Sequence, residues 1–413
     1  MADRTAPRPP IRAVIGLPPE DTVRAFEARD TLRLTTDWTD IWQAEHARQF
    51  TVAKVARADL LADIEAAVAD VIANGGTVQQ FQDNLIPTLQ KQGWWGTVTD
   101  PSLTGTTDPV VIGPHRLRTI YDTNLRVSRA AGRWGRIQAL KGERPFLRYS
   151  AVLDSRTRPA HRAWHGTILP VDHPWWDTHY PPCGWYCRCT VNQLSERDLD
   201  RRGWKVTSVP PAGPPQKFLR PGTSVPIDVP AGISPGFAYN AGKASMAAIA
   251  EKATRTLERV AATNWAAALA TLEDFVTSDI FLETLAEPGA AFPVMILDDT
   301  LRSAIGAQGR VAVLSSDTYA KQLGKTGRSA GHIDLTIDDY RMLPRLGTDA
   351  DVVAREGENV LKLVRLTDGQ WLVAIVKRTA DGAEMYVTSV RRQRDSSIAS
   401  LLSGTTIIYD RRG

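Results

Sequence analysis

The chain has 413 residues, 43% hydrophobic and 23% charged, a balance that excludes a disordered or fibrous polypeptide and implies two or three globular cores. No stretch approaches the roughly 20 apolar residues of a membrane span, and the N-terminus MADRTAPRPP has no apolar signal core. The net charge of +4 is unevenly spread: residues 101–220 carry 19 basic and 9 acidic side chains, against 10 and 14 in residues 1–100. A positive block of this kind suits a polyanion or an acidic protein surface, and equally a solvated face.

In chain order, residues 1–19 are rich in Pro and Arg and read as an extended arm. PPEDTVRAFEAR opens on prolines and acidic residues and predicts a helix start. Residues 37–73 space apolar side chains by three and four, predicting two helices that end at Gly75–Gly76. TVQQFQDNLIPTLQKQ predicts a further short helix in which Pro87 starts or kinks a turn. The longest helical pattern is PHRLRTIYDTNLRVSRAAGRWGRIQAL, with Ile120, Leu125, Val127, Trp134 and Ile137 facing inward. Its arginines, Arg116, Arg118, Arg126, Arg129, Arg133 and Arg136, occupy the remaining circumference. They hold acidic neighbours, touch nucleic-acid phosphates or simply solvate the helix.

After Pro145 short strands and turns replace helices, and residues 208–240 read as a Pro/Gly-rich linker. An Ala-rich helical connector follows over 241–289. Beyond it, VAVLS, NVLKLVRL, QWLVAIVKR, EMYVTSV and TTIIYD are separated by turns such as TDGQ and predict a mostly antiparallel α+β domain over 290–413. The expected architecture is multidomain α+β. A unit over 20–207 comprises a helical region, 20–144, and a small β-rich Cys/His module, 145–200; the linker, connector and C-terminal domain follow.

All three cysteines fall in PPCGWYCRC, and four of the seven histidines (161, 165, 173 and 179) lie just before or beside it. Three thiols cannot all pair, and a chain made in a reducing compartment keeps them as thiols. Cys183 and Cys187 have the spacing at which one turn of chain supplies two ligands to tetrahedral zinc; Cys189 joins them only if the chain bends sharply. His161, or His165 one turn later, completes the set. The candidate ligands of one structural Zn²⁺ are therefore His161, Cys183, Cys187 and Cys189. A metal-free staple of buried thiols accounts for the same residues, and a catalytic thiol has no orienting partner in the sequence. Asp154 reads more simply as a cap on the turn that follows it, paired with arginines, than as part of a catalytic group with Arg158 and His161.

The runs RTIYDTNLRVSRAAGRW, YSAVLDSRTRPAHRAWHG and HPWWDTHYPPCGWYCRCTVNQLSERDL resemble the phage Mu F-type head morphogenesis family of minor capsid proteins. FTVAKVARADLLADI and TLQKQGWWG before them, and VPAGISPGFAYNAG after, extend the resemblance over about residues 15–245. Matching positions include Thr123, Asn124, Arg126, Asp154, His161, Gly166, Pro181, Pro182, Cys187, Arg188 and Cys189; Cys183 is more variable in the family. The resemblance implies a minor head protein at the portal vertex of a virion, assembled in the host cytoplasm. Its implied partners are the portal protein and other head proteins, with packaged DNA as a further contact.

Residues 290–413 lie outside that resemblance. KQLGKTGRSAGHIDLTIDDYRMLPRLG, NVLKLVRLTDGQWLVAIVKRT and EMYVTSVRRQRDSS resemble the phage branch of the barnase–EndoU–colicin E5/D–RelE-like nuclease superfamily. This implies a barnase/RelE-like domain with RNA as substrate and with His332, Lys377, Thr388 and Arg391 as catalytic residues. Metal-independent RNA cleavage needs a base, an acid and cations around the phosphate. A histidine titrates in the right range, Lys377 and Arg391 would hold the phosphate, and Thr388 would position it. Tyr386 and Glu384 are available as a second acid or base. The expectation is a head protein carrying an RNase-like domain. The alternatives are a ribonuclease toxin whose N-terminal part serves packaging and delivery, and a non-catalytic binding module of the same fold.

Overall fold

The computed structural model describes residues 20–278, 281, 289–323 and 335–412. The predicted arm over 1–19 and the candidate catalytic His332 lie outside these residues.

The helix Pro114–Ala139 organises the N-terminal half. It begins with Pro at its first position, where the missing N–H costs nothing, and buries Leu117, Ile120, Val127, Trp134 and Ile137 at spacings of three and seven. One core packs the helices Ala58–Asn74 and Val78–Lys91, together with Trp94, against Leu117 and Ile120. A second gathers around Val127, Trp134 and Ile137. It includes a three-stranded antiparallel sheet whose central strand, Phe146–Ser150, pairs with Ile168–Pro170 and with Thr190–Leu194.

Two sequence expectations change here. Residues 37–57, read as helical, hold only the 3-10 turn Gln43–Ala47 and short extended pieces. The Asp40 carboxylate accepts from the backbone N–H groups of Thr36 and Asp37, and Asp37 accepts from Thr39. Such local side-chain bonds offer the backbone an alternative to the helix. Residues 208–240, read as a linker, carry a hairpin of Gln216–Phe218 with Ile227–Val229. They also add Val229, Ile233 and Phe237 to the second core.

The Ala-rich stretch forms the helices Ala241–Thr263 and Trp265–Thr277, separated at Asn264, whose side chain caps the second by accepting from the Ala267 N–H. The first of these bridges the two halves of the molecule. At its start, Gly242 lies so close to Trp134 that a Cβ would sit 2.1 Å from the Trp134 Cβ. Near its end, Leu257 and Ala261 enter the C-terminal core. There the Glu258 carboxylate accepts from the backbone N–H groups of Arg310 and Val311 at 2.7–2.9 Å.

The C-terminal part is a seven-stranded sheet in the order Ala291–Ile296, Val311–Ser315, Met385–Gln393, Gln370–Arg378, Val360–Thr367, Val352–Glu356, Thr406–Asp410. Every neighbouring pair is antiparallel except Val311–Ser315 with Met385–Gln393. One face packs on helices around Leu301, Leu343 and Leu346. The other is partly covered by the short helix Ile398–Leu402, which seats Ile398 against Val352, Val364, Trp371 and Val373. The chain is thus multidomain α+β.

Candidate metal centre and the cysteine loop

His161 sits on the short helix Pro159–Trp164, between the first two strands of the small sheet, and Cys187 and Cys189 lie just before its last strand. The fold brings them together. His161 Nδ1 is 3.7 Å from Cys187 Sγ and 3.4 Å from Cys189 Sγ, and the three donor atoms lie within 4.8 Å of one another. The bend this requires is made at Tyr186, whose φ is 57°, and by the Cys187 N–H donating to the Gly184 carbonyl at 3.1 Å.

The orientation of the imidazole suits a ligand. Its other nitrogen, Nε2, lies 3.0 Å from the Gly232 carbonyl. With the proton on Nε2 donated to that carbonyl, the Nδ1 lone pair faces the two thiols, the outer hydrogen bond that metal-ligating histidines usually make. Gly232 can come this close because it has no side chain: a Cβ there would lie 2.4 Å from that of Ala160, and its φ is +87°. The ring also stacks on Trp164 with centroids 4.7 Å apart. Beside the group is a gap of about 20 Å³ bordered by Arg158, Tyr186 and Arg188, room for one water-sized fourth ligand. One nitrogen, two sulfurs and a small open position fit Zn²⁺, to which the protein would supply three ligands. Cys187 is held well below the usual thiol range by its hydrogen bond with Cys189 and by His161, whereas the same hydrogen bond and burial raise Cys189.

Cys183 is not in this group. Its thiol donates to the His179 carbonyl at 3.4 Å among the aromatic side chains of the second core, and burial keeps it protonated by raising it well above the usual value. Of the four ligands expected from the sequence, the structure therefore brings three together. The turn at 184–186 separates the first cysteine from the other two.

The charged residues of the loop hold its shape. Arg188 makes a two-pronged ion pair with Asp154 at 2.6 and 2.7 Å, and Asp154 also accepts from the Arg156 N–H and the Thr157 hydroxyl. Arg188 first, and those capping bonds after it, keep the Asp154 carboxyl far below the usual carboxylate range. Arg158 donates to the Trp185 carbonyl and Arg162 to that of Asp154. The other histidines here also act structurally. His165 and His173 accept the Ala151 and Trp175 N–H groups through Nδ1, and burial pushes His179 down to about 4.

The helix arginines do not form one stripe. Arg116 turns inward, donating to the Ala53 carbonyl with its guanidinium over the Trp94 ring. Arg118 and Arg126 flank Asp122 at 3.8 and 3.7 Å, and Arg136 pairs with Asp21 at 2.6 Å. Arg133 is half-buried and Arg129 exposed. On the C-terminal sheet, Lys377 pairs in register with Tyr386 and Val373 with Arg391, so strand alternation puts Lys377, Tyr386 and Arg391 on one face, while Thr388 sits at the register shift between Val387 and Ser389. Lys377 and Thr388 are exposed. The Thr388 hydroxyl donates to the Ile375 carbonyl, Tyr386 donates to Glu384, and burial lowers Arg391.

Residues 62–192 match the protein-family model described as "Phage Mu protein F like protein". The chain is 38% identical over 192 residues to "Putative capsid assembly protein F" of Escherichia phage Mu, covering 46% of this chain and 44% of that protein. It is 41% identical over 178 residues to "Mu-like prophage FluMu F protein" of Haemophilus influenzae, covering 43% and 42%. The chain thus spans less than half the length of these relatives. No solved structure matches it significantly. Among the described residues, no helix is long and apolar enough to cross a membrane.

Proposed function

We propose that the chain acts in head morphogenesis of a Mu-like phage or prophage, as a minor head protein of the virion that joins the portal and other head proteins near the portal vertex. The observation that carries this reading is the extent of the match: residues 62–192 include the long helix and the whole constellation of Asp154, His161, Cys187, Arg188 and Cys189. The region that resembles capsid assembly relatives is also the one whose loop is pinned most elaborately. In this reading His161, Cys187 and Cys189 hold one structural Zn²⁺, and the exposed arginines Arg118 and Arg129 face an acidic partner or packaged DNA. The test is complementation of a phage or prophage lacking the gene. Filled heads restored by the wild-type chain, with tagged chain recovered on portal-containing particles, support the role. A normal yield of filled heads without the chain refutes it.

A second reading concerns the C-terminal domain, as an RNase-like module. It is favoured by Lys377, Tyr386 and Arg391 sharing one sheet face, with the exposed Thr388 at the register shift beside them. The full chain and its His332→Ala variant, incubated with cellular RNA without metal, test it. Cleavage by the first alone supports a nuclease; intact RNA with both leaves the sheet a binding module.

A further inference from the structure

Between the first core and the tip of the cysteine loop lies a cavity of about 600 Å³, within the range of ligand-binding pockets. Its walls are largely apolar, with Trp38, Trp185 and Phe237 on one side and the long helix at Asn124 on the other. Two guanidiniums, Arg29 and Arg116, also line it, and no carboxylate does.

Arg29 is the unusual one. It is 8% exposed, its Nη1 donates to Asn124 Oδ1 at 2.7 Å and its Nη2 lies 3.4 Å from Ser128 Oγ. Its Nε–H, like that of Arg116, is buried without a partner. Among the described residues no carboxylate pairs with either guanidinium; Arg29 lies over the Phe26 ring at 5.4 Å and near the Tyr239 phenol, and Arg116 lies over the Trp94 ring. A guanidinium does not shed its proton in a protein, so a buried one without a counter-charge is costly until an anion arrives. The neighbouring His46, neutral or cationic, cannot supply one; burial first, and then the charge of Arg29, push it down to about 4, so near pH 7 it adds no second positive charge.

We propose that this cavity receives an acidic, apolar peptide segment of a partner protein, its Asp or Glu carboxylate meeting Arg29 and its flanking apolar side chains packing on Trp38, Trp185 and Phe237. Charge complementarity selects the carboxylate, which matches a guanidinium in two-pronged geometry. The rim selects a chain over a free small molecule: Val111 is 72% and Trp185 36% exposed, so the apolar surface continues past the mouth. A polyphosphate would bring more charge than two partly engaged guanidiniums offset. The proposal does not depend on the head-morphogenesis reading. It does link the cavity to the metal centre, because Trp185 stands two residues before Cys187 with its carbonyl held by Arg158.

The test uses the full chain and two fluorescently labelled peptides, Leu-Phe-Asp-Leu-Phe with blocked ends and the same peptide with Asn for Asp. The wild-type chain should bind the Asp peptide about ten-fold more tightly or better, with the preference shrinking as salt rises. Arg29→Met should bring the ratio near one. Thr123→Trp, which fills the cavity while leaving Arg29 in place, should weaken both peptides, with circular dichroism confirming a folded chain. Equal binding of the two peptides by the wild type overturns the proposal, as does a preference that survives Arg29→Met. Stronger Arg29-dependent binding of ATP or single-stranded DNA than of the Asp peptide overturns the peptide assignment in favour of a phosphate ligand.

Discussion

The cysteine loop takes its partners from far along the chain. Arg188 reaches back 34 residues to Asp154, and His161 reaches forward 71 to Gly232. The middle of the C-terminal sheet is built instead from neighbours: Val352–Glu356, Val360–Thr367, Gln370–Arg378 and Met385–Gln393 follow one another in sequence and lie side by side. Its core is apolar, with Leu361, Leu363, Leu372 and Ala374 fully buried. Polar contacts decide where the first region's side chains point, whereas packing decides the second. The first therefore holds a tight cluster of potential ligands, and the second leaves the candidates Lys377 and Thr388 exposed at its surface.

The largest effect that should separate the two regions comes from Trp134→Ala. The ring is fully buried between the long helix, Tyr180 and the start of the bridging helix, and its loss should cost about 3–5 kcal/mol. Urea unfolding would show it as a destabilised N-terminal transition, with the C-terminal one less affected.

Removing the metal ranks next. If His161, Cys187 and Cys189 hold zinc, protein purified with zinc should contain one ion per chain by mass spectrometry, and Cys187→Ser should lose it. At a free zinc concentration about 1,000 times the dissociation constant, binding contributes roughly 4 kcal/mol. A chelator should then lower the melting temperature of the wild type and leave that of the variant unchanged. Equal chelator effects on both would break the assignment.

Acid offers a third discrimination. Among the described residues every histidine lies in the N-terminal half, and burial holds His46 and His179 at about 4, against about 6.5 unfolded. Between those values the unfolded chain binds more protons, so stability is full above about pH 6.5 and falls as pH drops toward 4. For His46 the loss at pH 5 is on the order of 2 kcal/mol. Urea melts at pH 7 and 5 should show the N-terminal transition moving much further than the C-terminal one.

The smallest effect should come from Lys377→Ala and Thr388→Ala. Both side chains are exposed, and each change should shift stability by less than about 0.5 kcal/mol. Any loss of RNA cleavage in these variants would then be chemical rather than structural.

The long helix was legible in the sequence because its apolar residues recur at helical spacing, and most C-terminal strands because their β-branched runs are cut by short turns. Ala291–Ile296 and Val352–Glu356 lack such alternation: AFPVMI and VVARE bury neighbouring residues along the strand, and a short apolar run alone does not distinguish strand from helix. The candidate ligands His161, Cys187 and Cys189 stood out by residue type. Spacing also admitted Cys183, because a reversal at a positive-φ tyrosine leaves no periodic trace. The Gly232 carbonyl that orients the imidazole is a backbone atom, invisible to any reading of side chains. Arg29 was hidden too: a single arginine after a helix signals nothing until the fold buries it without an acid.

The helix Ala241–Thr263 behaves as a driveshaft. One end is keyed by Gly242 against Trp134, where no side chain fits, and the other by Glu258 gripping two backbone amides of the C-terminal sheet. An α-helix advances about 100° per residue, so a single residue inserted between these keys would turn one end a quarter-revolution or more against the other. One key would have to slip. The angular setting of the C-terminal sheet relative to the cysteine loop is therefore tied to the number of residues between Gly242 and Glu258.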